Sequence, residues 1–388
     1  MIKAIRLMLV PNNKQKTKLF QYANTARFAY NWTLSREQEN YKLGKKFISD
    51  NDLRKEFTQL KKTKEYQWLN QVSNNVTKQA IKDACDSYKK FFKGYSQYPR
   101  FKSKRKSKPS FYQDNYKIKF TDTHVKVEGF SSSKKQNKQK LNWIRLAEKG
   151  RIPTNAKYSN PRITFDGINW WISVGVEDKS VIQKSTNEGI GIDLGIKDLA
   201  ICSNKQTYKN INKTSRVKKL EKKRRRLQRR ISRKYIINKE GSSYKKTSNI
   251  IKSEKELLKL NHRLTNIRHN YQLQVINDIV KREPSFITIE DLNVSGIMKN
   301  KHLSKAIQQQ SLYEFTRILS YKCQYNGIEL RQVDRYYPSS KLCHECGSIK
   351  QDLKLSDRTY ICKECGNIID RDYQASLNLR DAIEYKIV

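Results

Sequence analysis

No stretch of the 388-residue sequence approaches the roughly 20 consecutive apolar residues that a bilayer-spanning helix requires, which argues against a membrane protein. The segment from Met1 to Pro11 alternates apolar and basic residues. It lacks the apolar core and cleavage site of a secretory signal, so a cytoplasmic location is expected. Acid is also scarce: 37 Asp and Glu stand against 81 Lys and Arg, a formal charge of +44. Such an excess repels itself unless a polyanion neutralises it, and nucleic acid is the natural partner. The cysteines show no disulfide framework. Four of the seven form two Cys-x-x-Cys pairs, while Cys85, Cys202 and Cys323 lie singly in apolar segments, a pattern that in a reducing compartment points to metal. No internal repeat is apparent.

What is present suffices for two or three folded domains, because 36% of the residues are hydrophobic and each domain can bury its own core. Ile2, Ile5, Leu7 and Leu9 predict an opening strand ended by Pro11 and Asn12. Leu19, Ala23, Ala26, Tyr30 and Leu34 follow at helical spacing, and Val76, Ala80, Ala84 and Tyr88 mark a second helical stretch. Between Gly94 and Lys108, Arg100, Lys102, Lys104 and Arg105 stand among Tyr95, Tyr98 and Phe101, and Pro99 and Pro109 make the segment a loop. That composition suits either a solvated loop or one that contacts phosphate and stacks on bases. Short strands over 118–127, 143–146, 163–165 and 170–176 then predict a small β-barrel completed by the first strand.

The polar connection 179–188 marks the main domain boundary. Beyond it, Ile190, Ile192 and Leu194 predict a central strand, followed by strands at 199–202 and 207–208. Residues 213–234 hold thirteen Lys or Arg and only Glu221 as an acid, with Leu220, Leu227 and Ile231 at helical spacing. Arg224, Arg225, Arg226, Arg229 and Arg230 are the candidate nucleic-acid contacts in this helix, which pairs with a second long helix after a break at 241–243. A strand at 286–290, a helix through Leu312 to Cys323 and a strand at 328–333 complete an α/β pattern with a mixed sheet.

Cys343, Cys346, Cys362 and Cys365 form two knuckles, each followed by a glycine, and fifteen residues separate the pairs. Four thiolates so arranged predict a zinc ribbon, in which the metal stabilises a module too small for its own core; a redox pair is the alternative. Asp193 sits within an alternating apolar strand, Glu290 ends another, and Asp372 begins the apolar stretch through Ala375, Leu379, Ala382 and Ile383. Three converging carboxylates suit magnesium or manganese and metal-assisted phosphodiester cleavage. Single acids in such places also serve as helix caps or surface ion pairs.

The contexts GIDLG around Asp193, IEDLNVSG around Glu290, YPSSKLCHECG at 337–347 and CKECGNIIDRDYQASLNL at 362–379 resemble the TnpB family of insertion-sequence proteins. RFAYNW at 27–32 and FFKGYSQYPRFKSK at 91–104 agree more loosely. The resemblance implies a multidomain α/β fold: an N-terminal β-barrel interrupted by a helical recognition lobe, then a RuvC/RNase H-like nuclease domain with an inserted zinc ribbon. The expected segments are 1–12 and 94–178 for the barrel, 13–93 for the lobe, 179–336 for the nuclease domain with its basic hairpin, 337–369 for the ribbon and 370–388 for the closing helix.

It further implies a metal triad of Asp193, Glu290 and Asp372, a guide RNA, and cleavage of double-stranded DNA beside a short transposon-associated motif. Asp370 competes for the third position. Gln374 and Ser376 replace the family's Asn and second Ala. A strand-transferring transposase and a non-cleaving RNA-guided regulator are the alternative readings.

Overall fold

The computed structural model describes residues 2–130, 141–178, 186–354 and 357–388, so the expected connection 179–188 lies outside the described residues as far as 185. The chain divides into two compact units, 1–179 and 180–388.

In the first unit, strand β1 (Ile2–Val10) buries Leu7 and Leu9. Asn12 then starts helix α1 (Asn13–Lys42): its side chain accepts the Gln15 N–H at 2.9 Å, and the Gln15 side chain accepts the Asn12 N–H at 3.0 Å. This reciprocal cap satisfies two backbone donors that a helix start leaves unpaired. Gln15 also donates to the carbonyls of Leu141 and Trp143 at 3.1 and 2.8 Å, tying the helix start to the sheet. Helix α2 (Asp50–Leu60), a 3-10 segment (Lys64–Gln71) and helix α3 (Asn74–Phe92) follow.

The remaining strands are β2 (Ser110–Tyr112), β3 (Lys119–Phe120), β4 (His124–Lys126), β5 (Trp143–Leu146), β6 (Tyr158–Phe165) and β7 (Trp170–Glu177). They form a seven-stranded antiparallel sheet in the order β2-β6-β7-β1-β5-β4-β3. The chain's first strand therefore lies between β7 and β5. One apolar core joins the sheet to the helices through Leu19, Tyr22, Phe57, Phe111, Ile144 and Ile172.

The second unit opens with β8 (Gly189–Leu194), β9 (Asp198–Cys202) and β10 (Thr207–Lys209). Helix α4 (Ser215–Ile237) leads through a two-stranded turn, β11 (Lys239–Glu240) and β12 (Ser243–Tyr244), into helix α5 (Ser248–Val280). The expected break is thus a small hairpin. Strand β13 (Phe286–Glu290), the short helices α6 (Val294–Ile297) and α7 (Ser304–Gln310), helix α8 (Leu312–Asn326) and strand β14 (Glu329–Val333) come next. The chain ends through β15 (Thr359–Ile361), β16 (Ile368–Asp370), helix α9 (Arg371–Arg380) and β17 (Lys386–Ile387).

The main sheet of this unit runs β10-β9-β8-β13-β14-β17, with β8, β13 and β14 parallel and the others antiparallel to their neighbours. Ile190, Ile192, Ile287 and Ile289 pack with Ile276, Phe315 and Leu319 from the helices. The mixed α/β pattern read from the sequence is what is found. One expectation fails: Ile383 does not continue the buried stripe of α9. It is 92% exposed, because the helix ends at Arg380 and the chain turns to add β17 to the sheet.

Candidate active site and metal centre

Side chains alternate along a strand, so Gly191 and Asp193 share one face of β8, opposite Ile190 and Ile192. That face receives α9. A Cβ at Gly191 would lie 2.0 Å from the Ser376 carbonyl oxygen and 2.4 Å from the Arg380 nitrogen, so only glycine admits the helix at this depth. The parallel register pairs Thr288 with Gly191 and Ile289 with Ile192, which sets Glu290 beside Asp193 on the neighbouring strand. Asp372 enters from the first turn of α9. The three acids thus arrive from β8, β13 and α9, and all three are half-buried.

A cleft of about 190 Å³ is lined by Asp193, Asp372, Arg358 and the turn at 195–198. Burial, then the nearby charges of Glu290 and Asp372, push the Asp193 carboxyl well above the ordinary carboxylate range. Glu290 is raised by burial, against which the Ser339 hydroxyl acts by donating to its Oε1. Burial raises both Asp193 and Glu290, and neighbouring acids raise Asp193 further, so a cation would stabilise the charged forms. Hard oxygen donors of this kind fit magnesium or manganese.

Asp370, the competing acid, accepts the backbone N–H groups of Asp372 and Tyr373 at 3.1 and 3.0 Å and is the N-cap of α9. No local pattern in the sequence marks Arg358; it lies 3.6 Å from Asp372 and precedes β15, where only the folded ribbon brings it to the cleft. The turn after β8 is also held by unforeseen donors. Three consecutive carbonyls, Gly195, Ile196 and Lys197, accept from Gln310, Asn210 and Lys213 at 3.1, 2.7 and 2.8 Å.

The four cysteines form a separate centre. Their sulfurs all lie within 4.8 Å of one another, with Cys343–Cys365 and Cys346–Cys362 each at 3.6 Å. Tetrahedral zinc with bonds of about 2.3 Å sets its sulfurs about 3.8 Å apart, so the cluster fits that ion. Gly347 and Gly366 turn the knuckles at φ of 73° and 71°, the left-handed region that glycine enters without strain. Hydrogen bonds from the backbone at Cys365 and from the Ser348 hydroxyl pull the Cys362 thiol down, favouring the thiolate that binds metal. His344 turns elsewhere, toward Asp381 at 3.7 Å. Among the described residues, these cysteines are the group of metal-ligating side chains gathered this tightly.

The basic candidates divide by their contacts. On α4, Arg225, Arg226 and Arg229 are exposed, whereas Arg224 pairs with Glu221 at 2.8 Å and Arg230 with Glu256 at 2.9 Å. In the first unit, Arg100, Lys104 and Arg105 are exposed. Lys102 is exposed too, but its ammonium folds over the Tyr30 ring at 3.5 Å, where desolvation lowers its pKa.

A basic chain whose mixed α/β unit holds an acidic cleft and a four-cysteine ribbon belongs to a recognisable class. Residues 172–301 match a family described as a probable transposase, residues 313–379 match the Cas12f1-like TNB domain, and residues 1–46 match a family described as a helix-turn-helix domain. These matches bear out the resemblance to the TnpB family. The described part of residues 1–46 forms β1 and the single helix α1.

A protein of Streptomyces pristinaespiralis with the provisional name RNA-guided DNA endonuclease is 29% identical over 97% of this chain and 88% of its own length. The similarly named InsQ of Escherichia coli K12 is 26% identical over 97% of the chain and 91% of its length. The solved complex of Cas12f1 with guide RNA and target DNA shares the fold, with a TM-score of 0.63 at 14% identity over 100% of this chain and 99% of that one.

Proposed function

We propose that this protein is a transposon-encoded, RNA-guided endonuclease that cuts double-stranded DNA beside a short motif, with Asp193, Glu290 and Asp372 as the ligands of its catalytic magnesium or manganese. The observation that carries this reading is the delivery of three acids from β8, β13 and α9 to one face of one sheet. The names of the two full-length relatives supply the substrate class and the guide. In this reading the second unit is a RuvC/RNase H-like domain with a zinc ribbon over 337–369, and the first is a β-barrel carrying a helical lobe over 13–93.

Asp193, Glu290 and Asp372 would hold the divalent ions, which would supply a nucleophile from water and charge stabilisation for the leaving oxygen. The chain's own residues do the rest. Asp193 and Glu290 are fixed by adjacent parallel strands, and Asp372 by a capped helix, so the donors need little rearrangement. Arg358 brings to the cleft, beside Asp372, a guanidinium suited to contacting a phosphate. Exposed arginines of α4 supply sequence-independent phosphate contacts, and base pairing with the guide supplies the choice of sequence.

The family description of residues 172–301 favours one rival, strand transfer by a transposase using the same acids. Purified protein, its transposon-end RNA, a matching DNA duplex and magnesium separate the two. Cut ends without joined products support hydrolysis, and joined strands support the rival. Loss of cutting in Asp193→Ala ties either product to this cleft.

A further inference from the structure

The residue that touches Glu290 is also fastened to the zinc ribbon. Ser339 is 4% exposed, and its hydroxyl donates to Glu290 Oε1. Its carbonyl accepts from Asn378 Nδ2 at 2.7 Å, and the same Nδ2 donates to the Leu342 carbonyl, also at 2.7 Å. Leu342 immediately precedes the zinc-site residue Cys343 and bridges to Ile349 across the first knuckle. Asn378 is 3% exposed and stands on α9, the helix that carries Asp372; its carbonyl accepts the Tyr337 hydroxyl at 3.1 Å. A continuous hydrogen-bonded path thus runs from the knuckle through Leu342, Asn378 and Ser339 to Glu290, buried at Asn378 and Ser339.

Resting on the metal reading of the triad, we propose that Ser339 is a positioning residue for Glu290 and that zinc in the ribbon sets the cleft's affinity for divalent cations through it. A glutamate has three side-chain torsions, and an unrestrained carboxylate samples several orientations. The Ser339 hydroxyl engages one oxygen, fixes the rotamer and leaves the other oxygen to a cation. Partners of this kind behind a metal-binding carboxylate typically change metal affinity by about 10- to 100-fold. Ser339 holds its place only while residues 337–342 keep their course. The buried apolar cluster of the ribbon comprises Cys343, Tyr360 and Cys362, with Leu353 and Ile369 packed beside it, too little to hold the module without a cross-link. Zinc supplies that cross-link, so its removal frees the Leu342 end of the path.

The test measures manganese binding to the full chain without nucleic acid, by electron paramagnetic resonance of the free ion, alongside zinc content and thermal unfolding. Ser339→Ala is expected to keep its zinc and its unfolding temperature while manganese affinity falls about tenfold or more. Ser339→Thr, which keeps the hydroxyl, restores affinity to within about threefold of the parent on the same scale. Zinc-stripped protein shows the same weakening as Ser339→Ala and regains affinity when zinc is returned. Stripping zinc from Ser339→Ala weakens manganese binding little further, because both changes break one path. Parental affinity in Ser339→Ala, or in the zinc-stripped parent, overturns the proposal. Asp193→Ala guards the premise: if it binds manganese like the parent, the metal reading of the cleft itself falls.

Discussion

Asp370 caps the helix on which Asp372 stands. Its carboxylate accepts the Asp372 and Tyr373 N–H groups at 3.1 and 3.0 Å, whereas Asp372 lines the cleft with Asp193. The two acids, two residues apart, therefore have different work. Asp372→Ala is expected to lower cleavage at least about a hundredfold by removing a metal ligand, with RNA binding unchanged. Asp370→Ala should cost about 1 kcal/mol of stability, the usual worth of an N-cap, and still cut. The reverse pattern in cleavage assays would exchange the assignments.

The zinc centre makes an independent prediction. Protein purified without chelators should contain one zinc per chain, and Cys343→Ser combined with Cys362→Ser should abolish it. The ribbon hairpin of β15 and β16 should then lose amide protection, while β8 and β13 keep theirs. Elemental analysis without zinc, or unchanged zinc in the double variant, contradicts the assignment.

The cysteines were legible because their ligands are local: two pairs and two glycines state the knuckle geometry outright. The strands Phe286–Glu290 and Ile2–Val10 were legible from apolar patterning. Contacts between distant segments were not. Strand Ser110–Tyr112 lies outside the strands expected from the sequence and forms by pairing with Arg162–Thr164. Ile383 keeps helical spacing with Leu379, yet pairing of Lys386–Ile387 with Arg331–Gln332 draws the chain away. The nearness of Glu290 to Asp193 depends on a parallel register, and that of Asp372 on the space left by Gly191. Neither relation is written in a local pattern. Arg358 is illegible for the same reason.

In the first unit, Glu37 titrates near neutrality. It is 5% exposed, accepts the Ile48 N–H at 3.3 Å, and leaves one buried oxygen without a partner. Burial raises its pKa from 4.5 to about 7. The folded state therefore binds the proton more tightly than the unfolded state, so stability is full below pH of about 4.5 and is lost as pH rises toward about 7. The decrease amounts to at most about 3 kcal/mol. Glu37→Gln should flatten the dependence between these limits in urea unfolding of the full chain. An unchanged slope would show that Glu37 titrates normally.

The exposed arginines of α4 should be readable in salt dependence. Replacing Arg225, Arg226 and Arg229 with Gln should reduce the log–log salt slope of duplex binding by about 0.9 for each phosphate no longer neutralised, or about 0.7 on single strands. Zinc content and manganese affinity should not change. Arg224 and Arg230, already paired with Glu221 and Glu256, should each give a smaller change. Equal effects at all five positions would contradict this division.

Guide exchange tests the central claim most directly. One DNA duplex carrying the target is offered, with magnesium, to the protein alone, to the protein with its native transposon-end RNA bearing a matching guide, and to the protein with that RNA bearing a scrambled guide. Cutting by the matched complex alone, absent when Asp193 is replaced by Ala, is the predicted result. Equal cutting in all three reactions, or cutting that survives Asp193→Ala, would contradict it.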